Sequence, residues 1–336
     1  MSEINSAEKF IISSSRVTEL SPDRVTWIRI GEDSDGQRVD NFFLRVAKGV
    51  PKSHIYRLLR SGEVRVNKKR VKAETRLALD DIVRVPPIRV PQKRDLVPRA
   101  APISDDTLPI LFEDEHLLIV DKPAGLACHG GSGIAFGLIE RLRPNQPFLE
   151  LAHRLDRDTS GAIIVCKSRK ALVRLQKSMR EGGIEKHYRT LVKGDWVNDR
   201  QHVKLPLFKY VTKEGERRVR VDPEKGVPSH SIFTLIRRYG DVSFLDVELL
   251  TGRTHQIRVH AAESGHPLVG DDKYGDFDFN REVSKGLLGI PFRRMFLHSY
   301  SLAFEHPVTH EKMKIESPLP EACEELIRVL NERKTV

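Results

Sequence analysis

HRLDRDTSG, residues 153–161, is the stretch on which the reading of this chain turns. Two carboxylates and two guanidiniums fall between His153 and Asp158, and the apolar run Ala162, Ile163, Ile164, Val165 follows at once. A short apolar run bounded by turn residues reads as a buried strand. A polar loop that feeds such a strand is a common seat for a catalytic side chain on a rigid scaffold. Asp156 stands between Arg154 and Arg157, and a nearby guanidinium favours the carboxylate form of an acid. An anion suits a nucleophile or a general base and suits a general acid poorly. The alternative is that Asp156 or Asp158 caps backbone N–H groups of the turn with Thr159 and Ser160, a role for which Asp158 is the better placed.

Outward from this loop, LLIVDKPAG (117–125) reads as a strand and a turn. HGGSGIAFG (129–137) has the spacing GxGxxxG, and no GK[ST] completes a phosphate loop, so the glycines point to a plain loop, or to a loop near a substrate, before a nucleotide site. KALVRLQKSMREG (170–182) places Leu172, Leu175 and Met179 at helical spacing, with Gly182 and Gly183 as the stop. HYRTLVKGDW, SIFTLIRRYG and VSFLDVELLTG read as strands. The helices are interspersed irregularly, which predicts an α+β domain with a mixed, largely antiparallel sheet and no βαβ repeat. Tyr188 falls at the head of one strand, where it is either core edge or an aromatic face for a base. TGRTHQIRVH (251–260) brings Arg253 and Arg258 to frame a polar segment. Its His255 and His260 are five apart, which suits neither helix nor strand geometry for a shared metal. An arginine of this segment is the expected partner of a buried Asp156.

The net charge of +10 is concentrated: residues 36–99 alone carry +11. Such a block is the footprint of a polyanion-binding module, the alternatives being a solvated basic surface or an acidic membrane as partner. Within it Val39, Phe42, Phe43 and Val46 mark one face of a helix. A second helix is expected from Ser53 as N-cap, with Ile55, Leu58 and Leu59 on one arc, Lys52, Arg57 and Arg60 on the other, and Gly62 as its stop. VRVN (64–67) reads as a strand, Asn67-Lys68-Lys69 as a turn, and Arg70 follows it. Residues 86–107 hold five prolines and little periodicity, as a linker does. The three cysteines are scattered and fit a reducing, cytoplasmic setting. No apolar run reaches the ~18 residues of a membrane span, and the N-terminus lacks a secretory pattern.

Residues 36–92 resemble an S4 RNA-binding domain, whose second helix and following hairpin meet RNA. HRLDRDTSG, then KHYRTLV (186–192), then TGRTHQIRVH, in this order, resemble the motif set of the RluA family of pseudouridine synthases. KPAGLACHGGSG resembles that family's entry to the catalytic domain, and GVPKSHIYRLLRSGEVRVNKKRV, HGGSG and HRLDRDTSG are most similar to members acting on 23S ribosomal RNA. The resemblance implies isomerisation of uridine to pseudouridine, with no metal or other cofactor. It implies Asp156 as the catalytic carboxylate, Tyr188 stacked on the target uracil, Arg258 paired with Asp156, Ile257 packed beside the base, and Arg154 contacting RNA. Lys52, Arg57, Arg60, Lys68, Lys69 and Arg70 are the implied RNA-binding residues of the S4-like module. The expected organisation is an extension (1–35), the S4-like domain (36–92), a linker (93–107), the catalytic domain (108–325) and a tail (326–336), in a cytoplasmic monomer. Three other readings compete. A non-catalytic RNA-binding protein would have no use for the acid–Tyr–Arg set. A hydrolase using Asp156 and Asp158 needs one carboxyl with a raised pKa, which two neighbouring arginines oppose. A family member acting on transfer RNA or on other ribosomal uridines is the reading hardest to separate, since RNA shape over a broad surface decides it.

Overall fold

A computed structural model describes residues 11–14, 20–47, 49–90, 108–130, 136–143, 148–212 and 215–333. The chain divides into two compact units, residues 1–106 and 107–336. The expected linker at 93–107 lies outside the described residues.

In the first unit, α1 (Val39–Val46) buries Val39, Phe42 and Phe43, and α2 (Lys52–Ser61) buries Ile55, Leu58 and Leu59. These residues face one core because they recur at three- and four-residue spacing. Helix α2 begins one residue before the cap expected at Ser53. Its N-cap is Pro51, whose fixed φ suits the entry, and it stops at Gly62, which adopts the left-handed φ of 75°. The strands are β1 (Ile11–Ser13), β2 (Thr26–Arg29), β3 (Arg65–Val66), β4 (Lys69–Arg70) and β5 (Ile82–Val85), in the order β1-β2-β5-β3-β4. The β3–β4 hairpin turns through Asn67 and Lys68, both at positive φ, as a two-residue turn requires. Leu20, Ile28 and Ile30 enter the same core as the helices. The folded unit therefore reaches back into the residues expected as an extension before 36, because β2 pairs with β5 along the edge of that core.

The second unit is built on a large sheet. Its strands are β6 (Ile110–Glu113), β7 (Leu117–Lys122), β8 (Glu150–Leu151), β9 (Ser160–Cys166), β10 (Ile184–Lys193), β11 (Arg200–Val203), β14 (Ser231–Arg238), β15 (Val242–Leu249), β16 (Leu297–Glu305) and β17 (Lys312–Glu316); β12 (Leu207–Val211) and β13 (Arg217–Val221) form a separate hairpin. The order is β11-β14-β15-β10-β16-β9-β7-β6, with β17 on β16 and β8 on β9. Pairing is antiparallel except between β9 and β16, so the sheet is mixed and largely antiparallel. The helices are α3 (Leu138–Leu142), α4 (Arg169–Arg180), α5 (Gln256–Glu263), α6 (Phe277–Val283) and α7 (Glu321–Arg333).

Strand β9 is buried throughout. Its Ile163 and Val165 join one core with Ile257 and Ala261 of α5, while Ala162, Ile164 and Cys166 join another with Leu172 and Leu175 of α4. Burial on both faces is why AIIVC is continuously apolar and does not alternate. The expected tail at 326–336 is in part α7, which sends Cys323, Leu326 and Leu330 into a third core. No helix among the described residues is long and apolar enough to cross a membrane.

Gly161 sits in β9 at a φ of 111°, and a Cβ there would run into the Ser299 backbone of β16. Both the conformation and the space demand glycine. Gly161→Ala is expected to destabilise the second unit by about 3 kcal/mol or more, read as a fall of several degrees in its melting temperature by calorimetry.

Candidate active site

The loop between β8 and β9 is tied down along its length. The Arg157 carbonyl accepts the Gly125 N–H at 2.9 Å, and the Asp156 carbonyl accepts the Thr159 N–H at 3.2 Å. Cys128 Sγ both donates to the Leu155 carbonyl, at 3.1 Å, and accepts its N–H, at 3.2 Å. His153 Nε2 accepts the Ile164 N–H of β9 at 3.1 Å, and burial pulls this imidazole down to about 4, so it stays a neutral acceptor. At the start of β9, Ser160 Oγ lies 2.9 Å from His298 Nδ1 and accepts from Arg294 at 2.6 Å.

Lys122, at the end of β7, is fully buried, and its Nζ donates to the carbonyls of Pro123, Leu126 and Arg157 at 2.8–3.0 Å. Burial lowers its pKa to about 8. This lysine clasps the turn after β7 to the Asp156 loop. Sequence reasoning missed it, although a lysine closing the apolar run LLIVD was a visible signal.

Arg258 is buried on α5 with its side chain 2% exposed. Its Nε and Nη2 grip Asp271 at 2.7 and 2.6 Å, Nη2 also reaches Asp272 at 3.2 Å, and Nη1 faces Asp156 Oδ2 at 3.6 Å. Its guanidinium lies over the Tyr274 ring, 5.1 Å from the centroid. Burial opposes the charge, but Asp271 outweighs it and raises the Arg258 pKa above its ordinary value. Burial also works against the Asp271 carboxylate; Arg258 and the Tyr274 and Lys273 N–H groups more than offset this and hold its pKa below the ordinary value. The expected Arg258–Asp156 pair is therefore one arm of a larger cluster whose tightest contact is Arg258–Asp271. Sequence reasoning did not find Asp271; the acidic pair in GDDKYG (270–275) was the available signal.

The two arginines of TGRTHQIRVH separate clearly: Arg258 is buried and Arg253 exposed. Arg154 and Arg157 are exposed, and Arg157 pairs with Asp158 at 3.1 Å. Asp158 thus holds its neighbour's guanidinium, and neither arginine folds back on Asp156.

Tyr188 lies mid-strand in β10, not at its head, and pairs in register with Ser299. It is 6% exposed, and burial pushes its phenol well above the ordinary value. Asp156, Arg154, Tyr188, Ile257 and Arg258 all line one cleft of about 1510 Å³, together with Lys209, Tyr210, Arg217 and Arg218 of the β12–β13 hairpin. Small-molecule pockets span roughly 300–1,000 Å³, so a larger, basic-walled groove suits part of a polymer.

In the first unit, Lys52, Arg57 and Arg60 project from α2 into solvent, and Lys68, Lys69 and Arg70 do so from the β3–β4 hairpin. Arg70 donates to the Ser61 carbonyl at 3.2 Å, which brings the hairpin against the end of α2. Among the described residues none of these six cations is in an ion pair with an acid.

Comparison with known proteins agrees with this geometry. Residues 116–263 match the RNA pseudouridylate synthase family and residues 37–83 the S4 domain. The chain is 48% identical over 316 residues to the ribosomal large subunit pseudouridine synthase C of Pasteurella multocida, covering 93% of this chain and 95% of that protein. It is 46% identical over 308 residues to the protein of the same description from Escherichia coli, covering 90% and 96%. The solved structure of human RNA pseudouridylate synthase domain containing 1 superposes with a TM-score of 0.54 at 26% identity, over 69% of this chain and 98% of that one. Site geometry, domain content and relatives of nearly equal length converge: this chain belongs to the RluA family of RNA pseudouridine synthases and carries an S4 domain.

Proposed function

We propose that this enzyme converts specific uridines of 23S ribosomal RNA to pseudouridine, with Asp156 as the essential carboxylate. The observation that carries the reading is the cluster in the cleft. A partly exposed carboxylate faces a buried arginine at 3.6 Å, with Tyr188 and Ile257 lining the same cleft. The large-subunit substrate is supported by relatives described as ribosomal large subunit pseudouridine synthase C over more than nine-tenths of both chains. The enzyme works in the cytoplasm as a monomer.

The isomerisation breaks the N1–C1′ bond, turns the base, and joins C5 to C1′. The target base leaves its stack first, at a cost of a few kcal/mol. Aromatic stacking on Tyr188 contributes roughly 1–3 kcal/mol against that cost, and Ile257 supplies an apolar wall. Asp156 serves the glycosidic carbon from a loop fixed by Lys122, Cys128 and His153. Arg154 and the hairpin cations hold phosphates around it. The S4 domain adds sequence-independent affinity through Lys52, Arg57, Arg60, Lys68, Lys69 and Arg70.

Carbodiimide labelling and primer extension on unmodified 23S RNA should show new stops with the intact protein and none with Asp156→Ala. A transcript equally modified by both proteins would reject the assignment. Replacing Lys52, Arg60, Lys68 and Lys69 by alanine should weaken binding and flatten the slope of log K against log salt by about 0.7–0.9 per lost phosphate contact. The rate at saturating RNA should stay unchanged. Asp271→Asn strips the buried Arg258 of its bidentate partner and should cost about 3–5 kcal/mol of stability, measured by urea unfolding.

A further inference from the structure

We propose that His255 is a positioning residue for the Asp156 carboxylate, held in one tautomer by a hydrogen-bond chain that starts in the β12–β13 hairpin and passes through Tyr274. This deepens the reading of Asp156 as the catalytic carboxylate and rests on it.

His255 stands at the N-cap of α5 with a φ of 53°, in the left-handed region. A non-glycine residue there costs on the order of 1 kcal/mol or more, so its side chain must be held by contacts that justify the conformation. Those contacts are visible. The imidazole is 12% exposed. It packs edge-on to the Tyr274 ring at a centroid distance of 5.4 Å, and its Nδ1 lies 2.7 Å from Tyr274 Oη. The same hydroxyl accepts the Val219 N–H of β13 at 2.8 Å.

The tautomer follows from what each ring nitrogen faces. A phenol has one hydrogen to donate, and with Val219 donating to this oxygen that hydrogen is free to go to His255 Nδ1. The imidazole proton then resides on Nε2, the nitrogen that faces a carboxylate. Nε2 faces Asp156 Oδ1 at 3.9 Å. The opposite tautomer would aim a lone pair at a carboxylate, which repels. Arg258 Nη1 faces the other oxygen, Oδ2, at 3.6 Å. Two N–H donors from the first turn of α5 thus address the two oxygens of one carboxylate and set its plane. Both distances exceed a hydrogen bond, and contacts of this kind tighten when substrate closes the site.

The protonation states fit the chain. Burial holds His255 below its ordinary pKa against the pull of Asp156, with Arg258 and Lys273 also favouring the neutral ring and Asp271 opposing them. Burial pushes the Tyr274 phenol up to about 12, so it keeps its proton. Val219 lies between Arg218 and Arg220 on a hairpin whose Lys209, Arg217 and Arg218 line the cleft. RNA seated against that hairpin therefore meets a hydrogen-bonded path through Tyr274 to His255, whose Nε2 faces the Asp156 carboxylate.

The test is single-turnover kinetics on unmodified 23S RNA, with melting temperatures, for intact protein, Asp156→Ala, His255→Asn, His255→Gln and Tyr274→Phe. Asparagine tolerates the left-handed backbone and keeps an acceptor near Nδ1, but its amide falls short of Asp156. Glutamine sets an N–H close to where Nε2–H stands. His255→Asn and Tyr274→Phe are expected to lower kcat by about ten- to hundredfold at unchanged KM for RNA, and His255→Gln to recover most of the rate. Wild-type kcat in His255→Asn beside an inactive Asp156→Ala would overturn the relay alone. So would equal losses in the asparagine and glutamine variants, or a loss confined to KM or melting temperature. An active Asp156→Ala would instead overturn the reading of the site itself.

Discussion

One guanidinium, itself almost closed to water, serves three carboxylates, and the cleft is arranged around that arithmetic. Breaking a buried ion pair is costly, because it leaves a charge with neither solvent nor partner. Asp271 answers most of the Arg258 charge through two short bonds, and its own remaining capacity is filled by the backbone of Lys273 and Tyr274. Asp156 is then left at 3.6 Å with a quarter of its side chain open. That division is chemically useful. A carboxylate gripped in a bidentate fork would have its oxygens occupied. One that merely faces an already compensated guanidinium keeps its oxygens open to a substrate carbon.

Such an arrangement needs a fixed backbone on both sides, and the sheet supplies it. Strand β9 is buried on two faces and pairs with β7, β8 and β16. The loop before it is held by atoms with no evident role in bond making: the Lys122 ammonium, the Cys128 thiol and the His153 ring. Each spends polar capacity on backbone groups of the loop or of β9, and Lys122 binds the turn after β7 as well. Preorganisation of this kind places the cost of ordering the carboxylate in folding instead of in the reaction.

The sequence made some of this legible and hid the rest for physical reasons. Strand β9 could be read as an apolar run bounded by turn residues and helices α1, α2 and α4 from their periods, with Gly62 and Gly182 ending α2 and α4 at positive φ. Asp156, Tyr188, Ile257 and Arg258 were nameable from motif order, and one cleft gathers them. Helix α5 has no polar stripe to read. Gln256, Arg258 and His260 are as buried as Ile257, Val259 and Ala261, since its polar side chains are satisfied internally and not by solvent. The pairing of Arg258 with Asp271 is set by tertiary structure, and nothing in a spacing of thirteen residues announces it. The place of β2 inside the first core depends on pairing with β5, more than fifty residues away.

The two units use their positive charge differently, and this bears on how an RNA enzyme meets the cost of base flipping. In the first unit Lys52, Arg60, Lys68 and Lys69 stand in solvent with no carboxylate partner among the described residues. Such charges act at a Debye length and release counterions, without discrimination. In the catalytic unit several arginines are already paired, Arg157 with Asp158 and Arg218 with Glu216 in the cleft and Arg220 with Asp222 and Arg189 with Asp246 outside its lining, while Arg154, Arg217 and Arg253 of the cleft have no acid partner among the described residues. A guanidinium already held by a carboxylate exerts little long-range attraction, but it is oriented and needs little further ordering to contact a phosphate. Weak, long-range affinity in one unit and short-range, preoriented contact in the other let a correctly shaped RNA be held tightly where its base leaves the stack. An incorrectly shaped one keeps the first contribution and forfeits the second.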